Sequence, residues 1–112
     1  MAVVGRGLVV SGSGCTGVAR QANEVQQVFA LLKDPRLEET ILLVESAAAT
    51  AIVPLLSKVR GIVCSGGGMT SHLAIVSREF GLPCVMAADI DDPASLEGRT
   101  ITVSAAGEIV CE

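Results

Sequence analysis

The residues with most chemistry to offer stand together: Gly66, Gly67, Gly68, Met69, Thr70, Ser71 and His72 form one uninterrupted run, and His72 is the only histidine among 112 residues. The run reads as a passage from a short strand into the first turn of a helix. Three glycines let the backbone bend and approach an anion closely. The first amides of a helix have no intrahelical acceptor and face outward, so such a start binds phosphate. Thr70 and Ser71 add two hydroxyl donors. An imidazole with an ordinary pKa of about 6.5 is largely neutral near pH 7 and keeps a free nitrogen lone pair. A nucleophile beside a ready anion site points to phosphoryl transfer onto the imidazole nitrogen. The same residues also fit a plainer reading: a polar surface histidine, a Thr or Ser N-cap and an ordinary glycine turn.

A second glycine pattern competes. Gly12, Gly14 and Gly17 spell G-x-G-x-x-G after the apolar Leu8, Val9 and Val10, and Glu45 ends a later apolar run where a ribose-binding acid would sit. The interval from Gly17 to Glu45 exceeds the usual spacing of about 20 residues, and Pro35 interrupts it. A tight turn is the competing reading. No Gly-Lys-Ser or Gly-Lys-Thr follows either glycine run, and Lys33 and Lys58 are the only lysines, so a triphosphate-binding loop is not expected. Asp89, Asp91 and Asp92 bracket a proline-containing connection and read as solvated rather than as Mg²⁺ ligands. Cys15, Cys64, Cys84 and Cys111 are scattered, without a Cys-x-x-Cys pair, so no metal site is expected. Buried reduced thiols are the reading preferred over redox sensing by Cys64 and Cys84, which flank the motif helix.

The rest of the chain has to position these groups. Its length fits one domain with one core. Half of the residues are apolar, which excludes intrinsic disorder. Phe29 and Phe80 are the only aromatics, and the formal net charge is −4, so neither stacking platforms nor a basic footprint exists for a nucleic acid. No apolar run approaches the roughly 20 residues of a membrane span, and residues 1–7 lack the layout of a secretion signal. A soluble cytoplasmic protein without a membrane partner is expected.

Short β-branched runs alternate with helical stretches, an α/β pattern. Strands are expected at Leu8–Val10, Ile41–Val44, Ile62–Cys64 and Val85–Met86, with a closing hairpin of Thr100–Val103 and Glu108–Cys111 around Ala106 and Gly107. Residues 23–33 read as an amphipathic helix with Val25, Val28, Phe29 and Leu32 on its apolar face and Asn23 with Gln26 as cap and partner. Residues 47–59 read as an Ala-rich helix beginning near Ile52 because of Pro54, and residues 71–80 as a helix stopped by Gly81 and Pro83. Residues 89–93 read as a polar connection.

Gly67, Gly68, Met69, Thr70, Ser71 and His72, continued in register by Ala74, Ile75, Val76, Arg78, Glu79, Gly81, Pro83 and Val85, resemble the phosphohistidine signature of phosphoenolpyruvate-utilising enzymes. This is the mobile, or swivelling, domain of pyruvate phosphate dikinase, phosphoenolpyruvate synthase, rifampicin phosphotransferase and Enzyme I of the sugar phosphotransferase system. More weakly, residues 14–19 look like the family's opening turn, Leu43 and Val44 like its central strand, and residues 96–110 like its closing hairpin. The resemblance implies that residues 1–112 are a single three-layer β/β/α swivelling phosphohistidine domain. His72 would accept a phosphoryl group, flanked by Thr70 and Ser71, with Gly66, Gly67, Gly68 and Arg78 on the phosphate. No cofactor would be held tightly. ATP or phosphoenolpyruvate with Mg²⁺ would sit on a partner, an ATP-grasp-like nucleotide domain or a phosphoenolpyruvate/pyruvate-binding domain, and a small molecule would be the acceptor. Ala87 and Ala88 stand where the family commonly has Gly-Thr, Ser104 and Ala105 where it has Asp-Gly, and residues 46–49 where it often has Thr-Asp-Pro. These departures bear on docking surfaces, and the alternative is a non-catalytic binding or regulatory module retaining the fold.

Overall fold

A computed structural model describes the chain except residues 1, 13, 23–24, 45–54, 56–57, 66–71, 92 and 112 and, within the elements, the side chains of residues 2, 10, 11, 25, 72–74, 93 and 94. The continuous apolar run 41–44 becomes β3 (Thr40–Val44), buried at all five residues, as a strand covered on both faces must be. On one side it pairs in parallel with β2 (Cys15–Gln21), on the other with β4 (Gly61–Cys64), and β4 pairs in parallel with β5 (Cys84–Ile90). The remaining strands, β1 (Ala2–Ser11), β6 (Thr100–Val103) and β7 (Glu108–Cys111), pair antiparallel. The order β1-β5-β4-β3-β2-β6-β7 closes into a barrel because β7 returns to β1. Closure leaves none of the described strands with a free edge.

The period of two along the strands divides the apolar residues into two cores. Leu42, Val44, Ile62, Cys64, Cys84 and Met86 face the helices, meeting Val28 and Leu31 of α1 (Val25–Leu32) and Val76 of α2 (His72–Glu79). Their neighbours Ile41, Leu43, Val63 and Val85 turn the other way and pack with Ile101, Val103, Ile109 and Cys111 from the antiparallel strands. Helix α1 buries a narrower stripe than its sequence pattern implies: Leu31 is buried, whereas Phe29 is 60% exposed and Leu32 lies at the surface. A helix covered by a sheet on one side only has no second surface to receive them.

Three other expectations are corrected. The first strand spans residues 2–11, because Gly5 and Arg6 pair with β5 on one side and β7 on the other and irregular registers absorb the mismatches. Of residues 14–19, expected as an opening turn, 15–19 form most of β2. Gly17 belongs inside that strand: a Cβ there would overlap the Glu39 carbonyl and approach Ile41 Cγ1 to 3.1 Å, so the glycine marks close backbone approach rather than chain reversal. Asp89 and Ile90 belong to β5, pairing with Arg6 and Gly5, not to a polar connection.

The hairpin β6–β7 forms as expected, with Gly107 at φ 91°. The Ala-rich stretch 47–59 lies mostly outside the described residues, as do Asn23 and Glu24; Leu55 and Val59 are buried in the helix-facing core. Arg20 of β2 bonds Glu97 at 2.5 Å and Asp34 at 2.8 Å, tying the turn after α1 to the segment before β6. A backbone hydrogen bond from Arg36, then the Arg20 guanidinium, holds the Asp34 carboxyl below its ordinary pKa despite some desolvation.

Candidate functional site

Strands β3 and β4 remain joined to their ends, where the Ser65 amide donates to the Val44 carbonyl at 2.9 Å. The glycine-rich segment therefore follows the carboxyl end of β4 in the chain. The chain then enters α2, whose first residue is His72. Gly66, Gly67, Gly68, Thr70 and Ser71 lie outside the described residues, as does the His72 side chain.

The far end of α2 is fixed by its sequence. Leu82 N–H donates to Ser77 O at 2.9 Å and Gly81 N–H to Arg78 O at 3.1 Å, the paired bonds of a Schellman cap, with Gly81 in the left-handed region at φ 64°. Helix α2 packs on β1 and β5. Its buried face carries Ser77 and the partly buried Val76. Ile75 and Glu79 are exposed, and they are three and seven residues beyond position 72, hence on its face of the helix. Arg78 is exposed in the last turn. Six residues of helix set its Cα about 9 Å along the axis and about 120° around from that of residue 72.

Beneath α2, three polarisable groups meet in the helix-facing core. Ser77, Cys64 and Cys84 are each fully buried, and both cysteines are free thiols. Burial pushes the Cys84 thiol up to about 11, with Ser77 pulling it back and Cys64 adding to the rise. That shift suppresses thiolate chemistry and agrees with the packing role preferred for these cysteines. Among the described residues the Ser77 hydroxyl makes no hydrogen bond of good geometry, although it lies near enough to Cys84 to lower that thiol's pKa. Sequence reasoning passed over Ser77, whose only signal was a polar residue beside Val76 on a helix that must bury one face.

The competing glycine motif resolves into structure. Gly12 and Gly14 take positive φ between β1 and β2, and the strand β2 follows where a dinucleotide site requires a helix. Glu45 lies outside the described residues. Among the described residues no group of three His, Cys, Asp or Glu side chains could hold a metal ion, and no helix is long and apolar enough to cross a membrane.

Residues 37–107 match the family described as PEP-utilising enzyme, mobile domain. The phosphoenolpyruvate synthase of Aquifex aeolicus is 34% identical over 104 residues, 93% of this chain and 11% of that protein. The rifampicin phosphotransferase of Bacillus subtilis is 32% identical over 97 residues, 87% of this chain and 10% of that protein. Among solved structures, one titled "N-terminal domain of Enzyme 1 - Nitrogen" superposes with a TM-score of 0.56 at 33% identity, covering 76% of this chain and 37% of that one. The chain thus spans about a tenth of the length of the two enzymes it matches.

Proposed function

The chain belongs to the mobile-domain family of phosphoenolpyruvate-utilising enzymes, and from that membership we propose that it carries a phosphoryl group on His72 between a donor and an acceptor bound elsewhere. The observation that carries this reading is the position of the unique histidine. It opens α2 after a glycine run that follows the carboxyl end of β4 in the chain, inside the segment that matches the family.

The transfer is a kinase-type exchange at phosphorus. The imidazole nitrogen lone pair forms a P–N bond as the P–O bond to the donor breaks, the leaving oxygen keeping the electron pair. The acceptor oxygen later reverses the sequence, forming P–O and releasing the imidazole. Backbone amides of Gly66, Gly67 and Gly68 and the hydroxyls of Thr70 and Ser71 receive the charge on the phosphoryl oxygens. Arg78, on the same helix, is the further cation proposed for the phosphate.

The donor is ATP or phosphoenolpyruvate with Mg²⁺, held by an ATP-grasp-like or a phosphoenolpyruvate/pyruvate-binding domain, and the acceptor is a small molecule. Residues 1–112 act as one swivelling unit in the cytoplasm. The two cores on opposite faces of the parallel strands support the three-layer β/β/α reading. Each partner in turn completes a water-excluded pocket around the histidine.

Incubation with the donor system, followed by mass spectrometry under alkaline conditions that preserve a phosphoramidate, is expected to place one phosphate on His72. Phosphate persisting on a folded His72→Ala variant overturns the assignment. Thr70→Val and Ser71→Ala are each expected to slow phosphorylation on the order of 10²-fold; parent-like rates in both reduce the hydroxyls to helix caps.

A further inference from the structure

The amino ends of the parallel strands carry a second polar constellation, remote in sequence from the glycine-rich segment. The register brings it together: Val18 stands beside Thr40, and Ile41 beside Gly61, so Gly17, Glu39 and Arg60 converge at one end of the sheet. The Arg60 amide donates to the Thr40 carbonyl at 2.8 Å, fixing that residue's backbone. A cleft of about 180 Å³ opens there, lined by Thr16, Gly17, Arg36, Glu39, Arg60 and Thr100.

Its charges are unevenly matched. Arg36 bonds Glu39 at 3.1 Å, with both side chains more than half exposed. Arg60 makes no ion pair among the described residues. Among the lining side chains two guanidinium groups stand against one carboxylate, and Asp34, which also interacts with Arg36, is paired with Arg20. The exposed Arg36–Glu39 pair is cheap to rearrange, since exposed ion pairs contribute little to stability. Gly17 makes the space: Arg60 Cδ lies 3.3 Å from where a Gly17 Cβ would be, so the arginine stem rests on bare backbone. Thr16 and Thr102 share a hydrogen bond of 3.0 Å between hydroxyls, which holds the Thr16 side chain at the rim. Arg60 also pulls the Cys15 thiol down against the stronger effect of burial.

We infer that this cleft binds a small oxyanion, received by the forked N–H groups of Arg60 and Arg36 and by the threonine hydroxyls. Guanidinium forks match phosphate and carboxylate geometry bidentately. The volume lies below the roughly 300 Å³ at which pockets for drug-sized ligands begin, so the occupant is a single anionic group rather than a nucleotide. The five residue steps from Arg60 to Ser65 along β4 span about 16 Å at strand rise. An anion held here is therefore out of reach of the histidine end, and the site is independent of the carrier reading.

The test uses the ¹⁵N-labelled 112-residue chain, following arginine side-chain resonances during titration with potassium phosphate, potassium acetate and potassium chloride at matched ionic strength. Saturable shifts of Arg60 and Arg36 in phosphate, with a midpoint below about 20 mM, are expected, and at least a tenfold weakening in Arg60→Gln. Saturation by phosphate alone marks tetrahedral recognition, and saturation by acetate as well marks a site open to carboxylates; both support the inference. Thr100→Val, a surface change, is expected to weaken binding several-fold if Arg60→Gln perturbs the backbone spectrum. Linear shifts, equal shifts in chloride, or unchanged affinity in both variants overturn it.

Discussion

Replacing the buried Ser77 by alanine is expected to stabilise the protein. Its hydroxyl is fully buried on the inner face of α2 and lacks a hydrogen-bond partner. A buried polar group left unpaired costs about 1–3 kcal/mol, and alanine exceeds serine in helix propensity by roughly 0.5 kcal/mol. Against this stands the gap left by one oxygen atom, at most comparable to the roughly 0.5–1.5 kcal/mol of a deleted methylene. The balance favours Ser77→Ala by about 1 kcal/mol, or about 4–8 °C in Tm for a domain near this size. Urea unfolding at pH 7 reads the change as a higher midpoint with an unchanged slope. Ser77→Cys, nearly isosteric and less polar, is expected to move the same way. A lower midpoint in both variants refutes the reasoning, because it means that the hydroxyl contributes a hydrogen bond.

Three further outcomes follow from the same geometry. With the Cys84 thiol raised from 9.0 to about 11, the folded state keeps the proton that the unfolded state loses. Stability is therefore full below pH 9 and falls by about 2–3 kcal/mol as pH rises to 11, a slope that Cys84→Val is expected to flatten in urea titrations across that range. Ala87 sits at φ 53°, where an L residue pays roughly 1–2 kcal/mol and glycine loses about 0.5–1 kcal/mol of entropy instead, so Ala87→Gly should be stabilising by up to about 1 kcal/mol in the unfolding midpoint. Gly81→Ala meets no atom within 4 Å but keeps φ 64°, and thermal unfolding should show a loss of about 1 kcal/mol from backbone strain alone.

Features set by local patterning could be read from the sequence. The run Ile41–Val44 had to be a doubly covered strand, Gly81 had to end α2, and the hairpin around Gly107 followed from its turn residues. What escaped depends on neighbours distant in the chain. Residues 15–17 carry turn-like composition, yet Gly17 lies in a strand because the backbone at Glu39 approaches it. Phe29 matches a helical apolar face, but the sheet covers only the side holding Val28 and Leu31. Ala87 is instructive in a different way: an alanine, with no turn-like composition to signal it, takes a left-handed backbone at the irregular pairing of β1 with β5. For the candidate site, the glycine run, the hydroxyls and the histidine were all visible as types and spacing. The cleft around Arg60 was not, because no local pattern joins residues 16, 36, 60 and 100; the pairing of β2 with β3 and β6, and of β3 with β4, brings them to one end of the sheet.

The closed sheet bears directly on the proposed carrier role. A domain that moves between two partners has to arrive with its reactive group in the same geometry each time, because small misplacements of reacting atoms are severe in rate. Here α2 is set by two independent constraints: a capped end at Gly81 and packing on β1 and β5. None of the described strands of the barrel beneath it has a free edge, so a carrier built on it would offer no template for pairing with another chain. Among the described residues, the unsatisfied buried side-chain group under the helix is the Ser77 hydroxyl. If Ser77→Ala raises stability while slowing phosphorylation of His72, the unpaired hydroxyl lets α2 adjust as each partner docks. If stability rises with the rate unchanged, α2 works as a rigid mount, and adjustment during docking belongs to the glycine-rich segment that precedes it.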